Sequence, residues 1–176
     1  MNNHKAPRNR NETAKELMDR LNKDPDFVQR REERERRYAE AEAIAMRASE
    51  GVLRELTEVG FPCDDVDNIV KTYCPLPPAI VSCLLKWIPQ IDHDNVKEML
   101  IRALGAAEQK FSCKVLADAY DSCSHSIGVQ FAVLNTIAMT NPTDIDDFIT
   151  RIAESEHIRK QLRDLGYKFK KRNGLG

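Results

Sequence analysis

Residues 95–107 read NVKEMLIRALGAA. Val96, Met99, Leu100, Ala103, Leu104 and Ala107 fall at i, i+3, i+4, i+7, i+8 and i+11, a spacing that gathers their side chains on one helical face. Asn95 with Glu98 three residues later has the form of a capping box, so the helix is expected to begin at Asn95. So short a helix does not hide an apolar stripe alone, and neighbouring helices have to cover it.

Toward the C-terminus the pattern returns. Residues 79–88, AIVSCLLKWI, interrupted at Pro89, read as an outer helix paired with the opening stretch. A second pair is expected over 112–120 and 126–139, and a third, shorter pair over 143–154 and 157–165, closed by Gly166. A shift of 33 residues lays Val96 on Val129, Leu100 on Val133, Ile101 on Leu134 and Leu104 on Ile137, all aliphatic. A shift of 32 carries Leu84 to Leu116, and a further 32 carries it to Phe148. Periods of this size with helix-turn-helix content mark an α-solenoid.

Toward the N-terminus, residues 1–11 are polar and contain a proline, and are expected to be a disordered leader. Residues 12–22 place Leu17, Met18 and Leu21 on one side of a short helix. Asp24-Pro25 then starts a new helix, with Asp as the cap and Pro in the first turn. That helix opens with QRREERERR, residues 29–37, charged on every side, where Glu32–Arg36 and Glu33–Arg37 are i,i+4 pairs worth about 0.2–0.5 kcal/mol each. Further on, Tyr38, Ala41, Ala45, Ala48, Val52, Leu56 and Val59 alternate by threes and fours. They predict one long helix, solvated early and packed later. Three alanines and a tyrosine make a thin seam for a self-associating coiled coil. Gly60-Phe61-Pro62 ends the helix. A short helix over 64–73 and the rigid turn Cys74-Pro75-Leu76-Pro77-Pro78 lead into the paired region.

Two stretches carry a family resemblance. DHDNVKEMLIRAL, residues 92–104, resembles the HEAT repeat, in which an Asp-containing turn leads to Val, a basic residue and an aliphatic stripe ending in Ala-Leu. The second copy, SHSIGVQFAVLNTIA over 124–138, is similar but has Gln130 where Lys97 stands. KDPDFVQRREERERR, then LRELTEVGF and DVDNIV, resemble small bacterial HEAT-repeat proteins with a charged helical N-terminus. The likeness spans nearly the whole chain. It implies a fold and a binding style of use, and no reaction or catalytic residue.

The bulk composition is ordinary for a soluble globular protein. The net charge of −1 conceals an uneven distribution: +1 over residues 1–50, −6 over 51–165, and +4 over 166–176. A mildly acidic body with a basic tail favours a protein partner over a nucleic acid. No apolar run reaches the ~18 residues of a membrane span, and no apolar stretch follows the basic first residues as in a secretory signal. Five cysteines, at 63, 74, 83, 113 and 123, point to free thiols in a reducing cytoplasm.

Candidate chemistry is thin. No C-x-x-C or H-x-x-x-H pair accompanies Cys113, Cys123 and His125, so buried or half-buried thiols are expected in place of a zinc site. Cys123-Ser124-His125 puts a thiol near an imidazole, but in a turn where Ser124 or Ser126 serves as a helix cap. Carboxylates at 64, 65 and 67, at 92 and 94, and at 144, 146 and 147 each sit at an expected helix start, where they meet free amides and the positive end of the dipole. Trp87 reads as a half-buried packing residue.

The chain is therefore expected to be all-α: a short HEAT-like α-solenoid of stacked antiparallel helix pairs preceded by a long charged helix. The expected divisions are a leader (1–11), N-terminal helices (12–60), a repeat domain (61–165) and a basic tail (166–176). The expected function is a non-catalytic, cytoplasmic protein-binding scaffold or adaptor without cofactor or metal. Its candidate surface is Lys97, Arg102, Gln130, Asn135, Arg159, Lys160 and Arg163 on the inner helices. The alternative is a nucleic-acid binder using that strip, the Arg-rich helix and the tail Lys168, Lys170, Lys171 and Arg172.

Overall fold

Thr13 caps the first helix of the computed structural model, which describes residues 13–154. The expected leader (1–11), the helix over 157–165, the basic tail, and Arg159, Lys160 and Arg163 lie outside the described residues. Helix α1, Ala14–Leu21, begins with a capping box in which the Thr13 side chain and Glu16 exchange bonds with each other's backbone amides.

Helix α2, Pro25–Glu58, starts where Asp24-Pro25 predicts: Asp24 Oδ1 accepts the amides of Asp26 (3.0 Å) and Phe27 (3.4 Å). The chain divides into two compact units, residues 1–44 and 45–176, with the division inside α2. In the first unit no described residue is buried; Arg31 Nη1 donates to Asn22 Oδ1 at 2.7 Å, joining α2 to the end of α1. Glu33 accepts from Arg36, one position nearer than the Glu32 expected, and also lies 3.7 Å from Arg37 Nε.

In the second unit, α2 buries Ser49, Val52 and Leu56, half-buries Ala45 and Ala48, and leaves Val59 exposed. Gly60 takes φ 90°, the left-handed conformation that ends the helix. Where one helix is expected over 64–73, a 3₁₀ turn, Val66–Asn68, precedes the short α3, Ile69–Thr72. Asp65 caps the 3₁₀ turn through the amide of Asp67 at 2.9 Å.

Pro78 opens α4, Pro78–Trp87, and a 3₁₀ turn, Ile88–Gln90, carries the chain into α5, Asp94–Leu104. The expected capping box at Asn95 does not form. His93 is the N-cap, its Nδ1 accepting from the amide of Val96 at 3.4 Å, while Asn95 lies inside the helix and Glu98 turns to Arg102. Ala107 lies beyond the helix and is half of a parallel bridge with Leu76.

Helix α6, Lys114–Ser122, starts later than expected because Ser112 is likewise held in a parallel bridge, with Thr143. The Cys113 amide donates to Thr143 O, and the Thr143 amide to Phe111 O, both at 2.9 Å. Helix α7, Ile127–Thr140, ends at Asn141 in the left-handed region, φ 44°. Helix α8, Asp146–Glu154, closes the described part. Among the described residues there are helices and two isolated bridges but no strand, and no helix is long and apolar enough to cross a membrane.

The core follows the apolar registers. Val96, Leu100, Leu104, Val129, Val133 and Ile137 are all buried, and so are Leu84, Leu116 and Phe148. Helix α5 packs chiefly on α7, and α7 also on α6. Because α7 is apolar on nearly every side, it sits deep, with Asn135 and Met139 exposed one turn apart.

The end of α5 shows how tightly the two helices are fitted. Its last four carbonyls have no ordinary intrahelical partner. Arg102, Ala103 and Leu104 give theirs to the amides of Gly105, Ala106 and Ala107, each at 3.0 Å. The Ile101 carbonyl is passed over by that tightened turn, and the Thr136 hydroxyl on α7 donates to it at 2.7 Å.

Candidate functional site

Two places on the α5–α7 pair bring polar groups together. The first is the C-terminal end of α5. Arg102 and Asn135, both exposed, flank the Ile101–Thr136 hydrogen bond on their respective helices. Arg102 is ion-paired with Glu98, Nη2 to Oε1 at 2.7 Å. One turn on from Asn135, Met139 is 71% exposed, the most open large apolar side chain among the described residues, and its sulfur lies beside Gly105.

Of the expected surface, Lys97 and Gln130 are buried and do not belong to it. The reason is that α5 and α7 face each other, so the positions following Val96 and Val129 turn into the interface. Arg102 and Asn135 remain on the surface. Met139 was not singled out in the sequence, because in a helix apolar all round nothing marks the side that stays open.

The second place is the N-terminal end of α5 against the turn between α6 and α7. Asp94, in the first turn of α5, holds His125 of that turn, Oδ2 to Nε2 at 3.0 Å. One turn further along α5, the Lys97 ammonium donates to Cys123 Sγ at 3.5 Å, and Ser122 Oγ lies 3.8 Å from the same sulfur. Lys97 is 8% exposed and Cys123 3%. The Glu98 carboxylate lies against Gly128 in the first turn of α7. The sequence singled out Cys123 and His125 but not Lys97 as their neighbour, since the lysine lies on another helix.

Other titratable groups serve packing. Glu55 accepts from Lys86 Nζ at 2.6 Å and Trp87 Nε1 at 2.7 Å. The Lys86 bond, then the indole bond, holds the Glu55 carboxyl below the usual carboxylate range. Burial pushes the Cys83 and Cys113 thiols up to about 11 each, with smaller contributions from Glu55 and Asp144 respectively. Burial likewise pushes the Tyr120 phenol up to about 12. Its hydroxyl is buried without a hydrogen-bond partner among the described residues, and its ring meets Phe148 edge-on at 5.3 Å. Of the acidic groups, Asp65 caps the 3₁₀ turn and Asp94, Asp146 and Asp147 lie in the first turns of α5 and α8, and no cluster of three metal-ligating side chains occurs among the described residues.

The first unit offers an open groove along α2, lined by Gln29, Arg30, Glu33, Arg34 and Arg37. Arg30 and Arg34 make no ion pair among the described residues, whereas Arg31 lies 3.7 Å from Glu35. Compared with protein-family models, curated proteins and solved structures, the chain shows no match.

Proposed function

We propose that this chain is a non-catalytic binding module: a short HEAT-like α-solenoid of stacked helix pairs that presents a surface to a protein partner. One observation carries the reading. Bonds join Glu55 to Lys86, Leu76 to Ala106, Pro78 to Gln109, Phe111 to Thr143 and Asp121 to Arg151, always residues 30–32 apart. Contacts that recur at this step support a solenoid, although Lys97–Cys123 and Ile101–Thr136 span 26 and 35 residues, and solenoids act through extended surfaces.

The partner-facing patch is Arg102, Asn135 and Met139. An exposed methionine suits an adaptable protein contact, since its unbranched thioether fits many shapes. The test compares proteins retained from the source cells by the wild-type chain and by the double variant Arg102→Glu, Met139→Asp. Loss of a specific set with the variant supports the reading. An identical set on both, or none on the wild type, removes the patch.

A second reading has its own observation in Arg30 and Arg34 on α2, which make no ion pair among the described residues. A labelled oligonucleotide bound at low salt, released steeply as salt is added, and not bound by Arg30→Glu, Arg34→Glu would put nucleic acid first.

A further inference from the structure

We propose that Lys97 and Cys123 form an oxidation-dependent crosslink, a sulfur–nitrogen bond made when hydrogen peroxide oxidises the thiol, which ties α5 covalently to the turn between α6 and α7.

The buried lysine is the anomaly that leads there. Lysine is almost never buried without a strong acceptor, because its ammonium loses its water shell. Lys97 is buried, yet its partner among the described residues is a sulfur, a weak acceptor. The carboxylates nearest along α5 are engaged elsewhere: Asp94 with His125, and Glu98 with Arg102. Nothing on the helix draws the amine away from the thiol. The two groups come from elements 26 residues apart and meet at 3.5 Å, so bond formation asks only for a side-chain movement of roughly two ångströms, within rotamer adjustment.

The other buried thiols lack this arrangement. Cys83 and Cys113 are held in the protonated, unreactive form by burial, and the amine nearest Cys83, Lys86, is bonded to Glu55. Cys123 caps the end of α6 between two exposed serines, Ser122 and Ser124.

The chemistry balances with peroxide as the one oxidant. The sulfur of Cys123 attacks the O–O bond, taking one oxygen to become sulfenic acid, and the second oxygen leaves as hydroxide. Hydroxide takes the proton of the thiol and becomes water, and the Lys97 ammonium releases one proton to solvent. The freed amine attacks the sulfenic sulfur, the S–N bond forms, and the S–O bond breaks to release a second water. In sum, thiol, ammonium and one peroxide give the S–N bridge, two waters and one proton released to solvent. A dithiol reductant reverses it by attack on sulfur, returning thiol and amine and leaving as its own disulfide.

The test uses the full-length chain treated with stepwise hydrogen peroxide, digested without reductant and analysed by mass spectrometry. The expected product joins the peptides carrying Lys97 and Cys123, about 2 Da lighter than their sum, and disappears on adding dithiothreitol. Cys123→Ala is expected to lose it. Lys97→Gln is expected to lose it while still showing sulfenic acid at Cys123 by a dimedone label. Sulfenic or sulfinic acid at Cys123 of the wild type with Lys97 unmodified overturns the proposal. So does a peroxide-induced disulfide through Cys123. The wild-type readout stands whether or not either variant folds.

Discussion

Trp87 lays its indole ring against the backbone of Gly51, so close that a Cβ on Gly51 would overlap the ring. The same indole donates from Nε1 to Glu55 on the next turn of α2, so one aromatic side chain is fixed at its face and at its polar edge. Gly51 is thus in the helix because a ring occupies the space of its missing side chain. Gly51→Ala should gain up to about 1 kcal/mol in helix propensity and lose about 1–3 kcal/mol to overpacking. The expected outcome is a net loss of stability in urea with altered emission of this sole tryptophan. A more stable variant with unchanged emission would contradict the contact.

Thr136→Val keeps the shape and removes the hydroxyl that serves the Ile101 carbonyl at the end of α5. Both groups are buried and no neighbouring amide replaces the donor. The cost should be about 1–3 kcal/mol, read from the denaturation midpoint. Met139→Ala, on the same helix but open to water, should stay within about 0.5 kcal/mol of the wild type.

Acid should weaken the chain partly through Glu55. Its carboxyl titrates below the ordinary value in the folded state, because Lys86 and Trp87 donate to the charged form. The stability this contributes is full above the unfolded carboxylate range and is lost as pH falls through the lower, folded value. Glu55→Gln should flatten the acid limb of stability against pH. An unchanged acid limb would show that the pair contributes nothing on this exposed surface.

At the alkaline end the sign reverses. Cys83 and Cys113 hold their protons to about 11 when folded, while an unfolded thiol releases its proton near 9.0. Between those values the unfolded state binds fewer protons, so stability falls as pH rises from 9.0 toward about 11. Replacing both by alanine should shrink that loss relative to neutral pH. Ellman's reagent should reach these two thiols in the native protein more slowly than the exposed Cys74.

The burial of Leu100, Leu104, Val133 and Ile137, equivalent positions at a shift of 33, was legible in the sequence. So were the start of α2 at Asp24-Pro25 and its end at Gly60, where local chemistry leaves little choice. The cap of α5 was not. His93, Asp94 and Asn95 are all able to accept an amide, and the choice falls to whichever the preceding turn, anchored by the buried Ile91, brings into position. Nor was the fate of Lys97 legible, since a lysine on an amphipathic helix reads as solvated until the sulfur that receives it is known. Tyr38 fails differently. It continues the same three-four spacing that buries Val52 and Leu56, yet stands 67% exposed, because periodicity says which face is apolar and not how far along it a cover extends.

The two main-chain bridges, Leu76 to Ala107 and Ser112 to Thr143, each span 31 positions. Backbone atoms are common to every residue type, so mutation at these four sites leaves the linkage untouched unless it brings in proline where an amide donates. What the linkage does not tolerate is a change in the number of residues between its ends. Descendants of this chain are accordingly free to diverge in spelling while being held to a fixed count, and deletions of a single residue between these anchors should be far rarer than substitutions.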